Sequence, residues 1–389
     1  MASALYIHWP FCLAKCPYCD FNSHVRDAVD HAQWEAALLA DMRHEAQSAG
    51  GIPGIGGEPL HSIFFGGGTP SLMPPAMVGR LLAEAEALWG FAEGIEITLE
   101  GNPSSVEAAN YAALAGAGIN RASLGLQALD DRALRFLGRL HDADEGVRAL
   151  AVAQEHFARV SFDLIYARPG QTGALWQAEL TRALSFGTGH LSLYQLTIEP
   201  GTRFETLVRQ GQFAPLDDEA AADLFALTAD LTSAAGLPAY EISNHARVGD
   251  ESRHNLTYWR YQDYLGIGPG AHGRRGGVAT TRHKKPENWL SGIARNGHGI
   301  GEERALGTRE QAAEALLMGL RLREGIDLAG LSARFGLAEA ALCNPAKLAF
   351  YIGQGLCWQD GARIGVTPTG MPLLDGLLGE LVPAALVGA

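Results

Sequence analysis

Three cysteines close to the start of the chain have the clearest chemical potential. Cys12, Cys16 and Cys19 lie in the stretch Y-I-H-W-P-F-C-L-A-K-C-P-Y-C-D-F, with the spacing C-x3-C-x2-C. Cysteine thiolates are the usual protein ligands of iron–sulfur clusters. Three of them bind three corners of a four-iron, four-sulfur cluster and leave the fourth iron without a protein ligand. Such an iron can bind a second molecule, as a catalytic zinc ion does at its open position.

Two other uses of these cysteines stay open from the residues alone. Cys16 and Cys19 also form a C-x-x-C dithiol of the thioredoxin-like kind, although such a pair leaves the first cysteine of the motif unused. A structural zinc site is the second alternative, with His8, Asp20 or His24 as its fourth ligand. The number and spacing of the thiols favour the iron–sulfur cluster over both.

The composition is that of a globular protein with a large core. The chain has 389 residues, of which 47% are hydrophobic and 19% charged, and its net charge is −13. A negative charge gives no reason to expect nucleic acid as a partner. No apolar run approaches the roughly 18 residues of a membrane span, and no signal peptide is evident. The remaining cysteines, Cys343 and Cys357, are expected to be buried free thiols, which favours a reducing, cytoplasmic location.

Up to about residue 200, short apolar runs alternate with longer helical patterns. Strands are predicted at Leu5–His8, Ser62–Phe65, Glu96–Leu99, Arg121–Leu126, Ser161–Tyr166 and His190–Leu196. Helices are predicted near 31–48, 75–89, 105–116, 130–156 and 173–186. Repeated strand–helix units indicate an α/β fold with a parallel sheet and right-handed crossovers. Six such units predict a partial (β/α)6 TIM-like barrel.

The chemically informative residues fall near the ends of these strands. The cysteines follow the first strand, and Gly66–Gly68 follow the second. Glu100 follows the third, Gln127 closes the fourth, and Asp163 lies within the fifth. Proteins with parallel sheets build their sites at the carboxyl ends of the strands. The glycine run makes either a tight turn or a backbone surface that a ligand can approach closely, and its place beside the cysteine loop favours the second.

The chain beyond residue 200 changes character. A helix is predicted at Leu216–Ala235 and a strand at Ala239–Ser243, followed by S-R-H-N-L-T-Y-W (Ser252–Trp259) and the glycine-rich Leu265–Arg275. A long helix from about Gly307, a short helix at Leu328–Phe335 and a hairpin around Gly361–Val366 predict a winged-helix-like end. Its few basic residues favour packing or partner docking over DNA binding. The expected division is a barrel at 1–235, an intermediate segment at 236–305 and a C-terminal domain at 306–389.

Taken together, the motifs resemble the anaerobic coproporphyrinogen III dehydrogenase family of radical S-adenosylmethionine (radical SAM) proteins, and within it the HemW-type heme chaperones. The resemblance runs over nearly the whole chain and includes G-G-G-T-P-S, S-L-G-L-Q, D-L-I-Y-x-x-P-G-Q and H-N-L-T-Y-W. It implies a [4Fe-4S] cluster on the three cysteines, with SAM chelated by the free iron. In that family the reduced cluster cleaves SAM to a 5'-deoxyadenosyl radical.

The resemblance also implies which residues surround SAM. The matching positions are Tyr6, Gly68, Thr69, Glu100, Gln127, Arg139 and Asp163. Glu100 and Asp163 can accept hydrogen bonds from the ribose hydroxyls or the amino group, and Arg139 can pair with the SAM carboxylate. An isolated Glu or Arg at a strand end is, however, more often part of a surface ion pair.

H-N-L-T-Y-W resembles the heme-binding signature of HemW proteins, and this implies that His254 is an axial heme ligand. A neutral imidazole is a good ligand for heme iron, and large aromatic side chains can cover the macrocycle. If the segment is helical, His254 and Tyr258 share a face. Two alternatives stay open: a hydrogen-bonded structural role for His254, or His272 in G-P-G-A-H-G as the heme ligand.

The alternative function is that of the dehydrogenase, which oxidatively decarboxylates two propionates of coproporphyrinogen III. Its motif continues to a fourth cysteine, C-x3-C-x2-C-x-C, after a substantial N-terminal segment. Here position 21 is Phe21 and eleven residues precede Cys12. These differences favour a heme chaperone that passes heme to an acceptor protein, and they leave any catalytic activity uncertain. The acceptor, dimerisation and peripheral membrane contact are left open.

One segment departs from the family pattern. Where the family has a sequence similar to Y-G-L-P-G-Q, this chain has Tyr166-Ala167-Arg168-Pro169-Gly170-Gln171. The extra charge of Arg168 is expected beside the SAM site, where it could contact a carboxylate or a propionate.

Overall fold

The computed structural model describes residues 4–48 and 59–387. In chain order its strands are β1 (Ala4–Trp9), β2 (Phe11–Cys12), β3 (His24–Val25), β4 (Leu60–Gly67), β5 (Phe91–Gly101), β6 (Arg121–Gln127), β7 (Arg159–Tyr166), β8 (His190–Gln195), β9 (Asn244–Ala246), β10 (Tyr264–Ile267), β11 (His272–Arg275), β12 (Val278–Arg282), β13 (Ile300–Ala305), β14 (Ile326–Asp327), β15 (Cys357–Asp360) and β16 (Arg363–Val366).

The helices are α1 (His31–Ser48), α2 (Pro75–Trp89), α3 (Ser105–Ala108), α4 (Tyr111–Gly116), α5 (Asp131–Phe136), α6 (Ala143–His156), α7 (Gly173–Leu184), α8 (Arg203–Arg209), α9 (Asp218–Ala234), α10 (Arg253–Trp259), α11 (Pro286–Asn296), α12 (Thr308–Gly319), α13 (Leu328–Phe335), α14 (Glu339–Leu342), α15 (Pro345–Gly353), α16 (Leu374–Leu381) and α17 (Ala384–Val387). None of the helices in the described ranges combines the length and the apolar character needed to cross a bilayer.

Six parallel strands form the centre of the largest sheet, in the order β1-β4-β5-β6-β7-β8. Every strand and helical region predicted for the first 200 residues is present, and the partial (β/α)6 barrel is confirmed. Side chains alternate between the two faces of each strand. On β1, Leu5, Ile7 and Trp9 belong to the apolar core shared with the outer helices, so Tyr6 and His8 point into the barrel.

The predicted strand at Ala239–Ser243 is wrong. That segment makes only single bridges, from Ala239 to His245 and from Glu241 to Leu322, and the strand begins at Asn244. The buried carboxylate of Glu241 accepts hydrogen bonds from the backbone of Ser243 and the side chain of Asn244. These bonds to its own neighbours fold the segment into a turn, as polar side chains often do in competition with a ladder.

The segment between the barrel and the C-terminal domain extends the barrel sheet. Strand β10 pairs in parallel with β1, and β11, β12 and β13 continue in antiparallel order. Asp41 on α1 anchors this extension, because its carboxylate accepts from the backbone of Gly268 (3.1 Å), the backbone of Gly299 (3.0 Å) and the guanidinium of Arg282 (3.2 Å). Breaking a buried pair of this kind costs about 3–5 kcal/mol.

The C-terminal region has its own apolar core, formed by helices α12–α17 and a three-stranded sheet in the order β14-β16-β15. The predicted long helix, the helix at Leu328–Phe335 and the hairpin (β15–β16) are all present. Cys343 and Cys357 are buried in this core as free thiols, as expected.

Candidate functional site

The three cysteines lie on a loop that starts where β1 ends. The loop is closed by the short parallel pair β2–β3, and the backbone nitrogen of His24 donates to the carbonyl of Pro10 (2.7 Å). Within the loop, the backbone nitrogen of Cys19 donates to the carbonyl of Cys16 (3.1 Å). The loop therefore has a defined backbone that carries all three thiols at the carboxyl end of the barrel strands.

Each cysteine sulfur has a polar side chain close to it. The pairs are Thr69 Oγ1 donating to Cys12 Sγ (3.4 Å), Arg139 Nη1 donating to Cys16 Sγ (3.4 Å) and Ser23 Oγ beside Cys19 Sγ (3.8 Å). Burial raises the pKa of the Cys12 and Cys19 thiols, so metal binding there must displace their protons. Hydrogen bonds to cluster-ligating sulfurs are one of the factors that set the reduction potential of an iron–sulfur centre.

A zinc site has no formed ligand set among the described residues. Within residues 4–48 and 59–387, no three His, Cys, Asp or Glu side chains converge as ligands of one metal ion do. His8 and His24 are instead engaged with Asn22, through its carbonyl (2.9 Å) and its side-chain oxygen (3.2 Å) respectively. A four-iron cluster spreads its thiolates more widely than a single ion does, so the cysteine loop remains compatible with a cluster.

The glycine run packs its backbone against the cysteine loop. Gly68 donates its N–H to the carbonyl of Trp9 (2.7 Å). A Cβ atom on Gly67 would lie 2.5 Å from the His8 ring, and one on Gly68 would lie 2.6 Å from the Phe11 carbonyl oxygen. Both glycines also line the pocket beside the cysteines. The run thus permits a close backbone approach and leaves backbone facing the pocket.

The structure brings most of the sequence-predicted site residues to one pocket. Those that line it are Cys12, Cys16, Cys19, Gly68, Thr69, Glu100, Gln127, Arg139 and Asp163. Tyr6 and His254 do not line this pocket. Phe21 stands at its mouth with 63% of its surface exposed.

Two carboxylates face each other inside this end of the barrel. Glu100 accepts from the backbone nitrogen of Gly67 (3.2 Å), and Asp163 accepts from Ser123 Oγ (3.4 Å). Burial and the neighbouring charge of Asp163 raise the pKa of Glu100 to about 8, and burial raises the pKa of Asp163 to about 6. Perturbed carboxylates in a pocket are typical of functional sites.

Two buried polar atoms beside these carboxylates lack a partner within the described part of the chain. They are Oε1 of Gln127 and Nε of Arg139. Gln127 also has a φ of +68°, a left-handed conformation that costs a non-glycine residue on the order of 1–3 kcal/mol. Buried polar atoms without partners are rare. An unpaired acceptor, an unpaired donor and two carboxylates fit a polar ligand that carries amino, hydroxyl and carboxylate groups, as SAM does.

Sequence reasoning missed two residues of this site. Asn102 joins two predicted site residues, because it donates to Thr69 Oγ1 (3.1 Å) and accepts from Arg139. Its position two residues after Glu100, at the end of the same strand, was the available signal. Tyr194 on β8 is the other: desolvation of its hydroxyl, followed by the charge of Asp163, holds its pKa well above the usual value, although 41% of the residue's surface is exposed.

Tyr6 lies deeper in the barrel than the pocket. Its hydroxyl is 3.0 Å from His8 Nδ1, and its ring stacks on Phe64 with centroids 6.3 Å apart. Burial and the charge of Glu100 raise its pKa well above the usual value. Tyr6 therefore supports the floor beneath Glu100 and is separated from the space beside the cysteines.

His254 lies inside the barrel on helix α10 and is only 1% exposed. Its Nδ1 is 3.0 Å from Ser62 Oγ, and its Nε2 is 2.6 Å from the hydroxyl of Tyr258. Burial lowers the pKa of the imidazole to about 3. The ring is thus neutral, as a heme ligand must be, but both nitrogens already have partners. The competing histidine, His272, is exposed at the start of β11.

Arg168 does not reach the pocket, contrary to the expectation for its charge. Its guanidinium forms an ion pair with Glu179 on α7, and both side chains are about nine-tenths buried. Glu179 also accepts from the backbone nitrogen of Leu129 (2.8 Å). Arg168 therefore fastens the loop after β7 to a neighbouring helix. The preceding residue, Ala167, has a φ of +55° at the position where the family pattern has glycine.

Comparisons with known proteins agree with this site. Residues 6–178 match the radical SAM superfamily and residues 307–373 match the HemN C-terminal domain. The chain is 41% identical to bovine "Radical S-adenosyl methionine domain-containing protein 1, mitochondrial", over 83% of this chain and 74% of that protein. It is 35% identical to "Heme chaperone HemW" of Haemophilus influenzae, over 96% of each chain.

Among solved structures, the coproporphyrinogen III oxidase HemN of Escherichia coli shares the fold. It superposes with a TM-score of 0.82 over 97% of this chain and 89% of that one, at 22% sequence identity. A partial barrel that carries a C-x3-C-x2-C loop at the carboxyl end of its first strand defines a radical SAM protein. Within that superfamily, the chain belongs to the HemW family of heme chaperones.

Proposed function

We propose that this chain is a radical SAM-type heme chaperone, which holds a [4Fe-4S] cluster, SAM and one heme and passes the heme to an acceptor protein. The observation that carries the proposal is the pocket that Cys12, Cys16 and Cys19 line together with two partly buried carboxylates, Glu100 and Asp163. The chaperone assignment is supported by the full-length similarity to HemW. It is also supported by Phe21 at the position of the dehydrogenase's fourth cysteine.

The three cysteines would ligate the cluster, and the open iron would receive SAM. When bound and reduced, the cluster supplies the electron that cleaves SAM. The residues of the chain bind and orient SAM: Glu100 and Asp163 accept from its amino and ribose groups, and Arg139 pairs with its carboxylate. Arg139 donates to Cys16 Sγ, so this one side chain reaches both a proposed cluster ligand and the proposed SAM position.

Heme binding is proposed at helix α10, with His254 as axial ligand. While His254 lies inside the barrel, the pKa of about 3 keeps its imidazole neutral across the physiological pH range. Ligation requires α10 to move, because Ser62 and Tyr258 occupy the two ring nitrogens. A seven-residue helix has few backbone hydrogen bonds to lose in such a movement. His272 needs no such opening and is the second candidate ligand.

We also propose that three segments of the chain have different roles. The barrel, 1–235, would hold the cluster and SAM, segment 236–305 would hold the heme, and 306–389 would dock the acceptor. The outermost residues of these units, 1–3 and 388–389, lie outside the described range. A cytoplasmic location is proposed because the thiols are free and a cluster of this type needs a reducing compartment.

The alternative function, oxygen-independent coproporphyrinogen III dehydrogenase, is favoured by one observation, the shared fold with HemN. One set of samples separates the two functions. Full-length protein is reconstituted anaerobically, titrated with heme, and assayed with dithionite, SAM and coproporphyrinogen III. The chaperone account predicts stoichiometric heme binding and no protoporphyrinogen. Turnover without specific heme binding would establish the dehydrogenase instead.

A further inference from the structure

A second polar pocket lies at the opposite end of the barrel from the cysteines. Its volume is about 250 Å³. Arg121, Arg159 and His190, the first residues of three adjacent strands, line it together with Arg247 and Asp250. No residue of this pocket belongs to the predicted cluster or SAM site, so its charged groups need a separate explanation.

The guanidinium groups of this pocket carry more N–H donors than the surrounding residues offer acceptors for them. Arg121 donates through Nη1 to Glu96 (3.2 Å) and to the carbonyl of Asp250 (3.0 Å), but its buried Nη2 has no partner in the described ranges. Arg159 lies 3.6 Å from Glu96 and 3.8 Å from the Asp250 carboxylate, beyond hydrogen-bond distance. Arg247 reaches only the carbonyl of Gly187 (3.3 Å). Each guanidinium has five N–H donors, so most of them remain available.

The charges are also unbalanced. Three arginines face two carboxylates, Glu96 and Asp250, which leaves one positive charge in excess. His190 does not alter this sum, because burial and the nearby Arg121 hold its pKa well below the usual value and keep it neutral. Paired guanidiniums recognise the two oxygens of a carboxylate or phosphate better than any other common group.

Glu96 connects this pocket to the helix that carries His254. Its Oε2 faces Arg121, while its Oε1 accepts from the backbone nitrogen of His254 (3.2 Å). Asp250 lies two residues before Ser252, whose hydroxyl caps the start of α10. The arginine pocket and the H-N-L-T-Y-W helix therefore share a wall, and an anion that binds the arginines would compete directly with Glu96.

We propose that this pocket binds a carboxylate group, and that in the heme-loaded protein this carboxylate is a heme propionate. The inference rests on the proposed function for its heme. The propionate takes the unused donors of Arg159, Arg121 and Arg247 and competes with Glu96 for these guanidinium groups. Heme binding at the arginines and the position of the helix that carries His254 are thereby linked through one buried glutamate.

The test compares heme with its dimethyl ester, which keeps the macrocycle and the iron but has no free carboxylate. Both are titrated into the full-length, cluster-reconstituted protein, as wild type, as R159Q/R247Q and as R209Q. Arg209 is an exposed arginine at the end of α8, outside this pocket, and R209Q is the control for loss of a surface arginine. Wild type and R209Q are expected to bind heme at least tenfold more tightly than the ester. In R159Q/R247Q the affinity for heme should fall to that of the ester, while the affinity for the ester stays unchanged.

Equal binding of heme and ester by the wild type would overturn the propionate assignment while leaving the chaperone function intact. Absence of binding to either compound would overturn the chaperone function, and this inference with it. Thermal melts with succinate and with inorganic phosphate separate the two sources of the anion. If succinate or phosphate raises the melting temperature of the wild type but not of R159Q/R247Q, and the wild type binds heme and its ester equally well, the pocket is assigned to a free small anion. Iron content and the melting temperature establish that each variant is folded.

Discussion

The imidazole of His254 lies 6.4 Å from the ring of Tyr6, measured between centroids. His254 on the H-N-L-T-Y-W helix therefore lies inside the barrel, next to Tyr6. Tyr6 is in turn close enough to Glu100 for that carboxylate, together with burial, to raise the pKa of the tyrosine. The proposed heme ligand and the proposed SAM site are thus neighbours through Tyr6. Movement of His254 is therefore expected to alter the packing of Tyr6 and the environment of Glu100, and SAM binding beside Glu100 is expected to affect His254 by the same contacts.

The hydrogen bond from Thr69 to the sulfur of Cys12 is expected to tune the cluster. Thr69→Val keeps the shape of the side chain and removes the donor. Because such bonds stabilise the more negative, reduced state, the reduction potential should fall on the order of tens of millivolts. A redox titration followed by electron paramagnetic resonance measures it.

The matched control is Thr367→Val, which removes a hydroxyl that donates to the Gly355 carbonyl (2.7 Å) in the C-terminal region. An unchanged potential in Thr69→Val at full iron content would show that this hydroxyl does not act on a cluster ligand.

Glu100 is expected to make stability depend on pH. Its folded-state pKa of about 8 is raised above the ordinary value of 4.5 by burial and by Asp163. A raised carboxyl pKa stabilises the fold below the unfolded value, and this contribution is lost as the pH rises through about 8. Glu100→Gln should therefore melt like wild type near pH 4.5 and several degrees higher than wild type above about pH 8.

The comparison is made with metal-free protein, beside the exposed Glu302→Gln as control. A difference in melting temperature that stayed constant across this pH range would mean that Glu100 is ionised throughout and that its pKa is not raised.

Ala167 is expected to strain the loop after β7. Its φ of +55° is left-handed, which glycine adopts without cost. Ala167→Gly should stabilise the protein by about 0.5–1 kcal/mol, because relief of the steric cost exceeds the added entropy of the unfolded chain. Urea unfolding measures the change, with Ala122→Gly in strand β6 as the control at a position without positive φ. A loss of stability in both variants would mean that Ala167 is not strained.

The barrel could be predicted because each of its strand–helix units is specified by a local sequence pattern, and this pattern recurs along the chain. Each strand and helix has its own apolar pattern, and the rule that sites form at the carboxyl ends of parallel strands placed Glu100, Gln127 and Asp163 beside the cysteines. The environment of His254 could not be predicted in this way. Its partner Ser62 lies 192 residues earlier in the chain, and nothing in the local sequence specifies that contact.

Two other predictions were wrong because of contacts that the local sequence does not specify. Arg168 was expected at the SAM site because it lies next to it in sequence, but Glu179 on α7 draws its guanidinium to the outside of the sheet. The segment at Ala239–Ser243 was predicted as a strand, but the buried carboxylate of Glu241 accepts hydrogen bonds from the backbone of Ser243 and the side chain of Asn244 instead. In both cases one buried polar contact outweighed the local pattern.

The most direct test of the central claim is an anaerobic heme titration of reconstituted wild type, His254→Ala and His272→Ala. The account predicts one heme per chain in wild type and in His272→Ala, and loss of specific binding in His254→Ala at unchanged iron content. Full heme binding by His254→Ala, or its loss only in His272→Ala, would contradict the account.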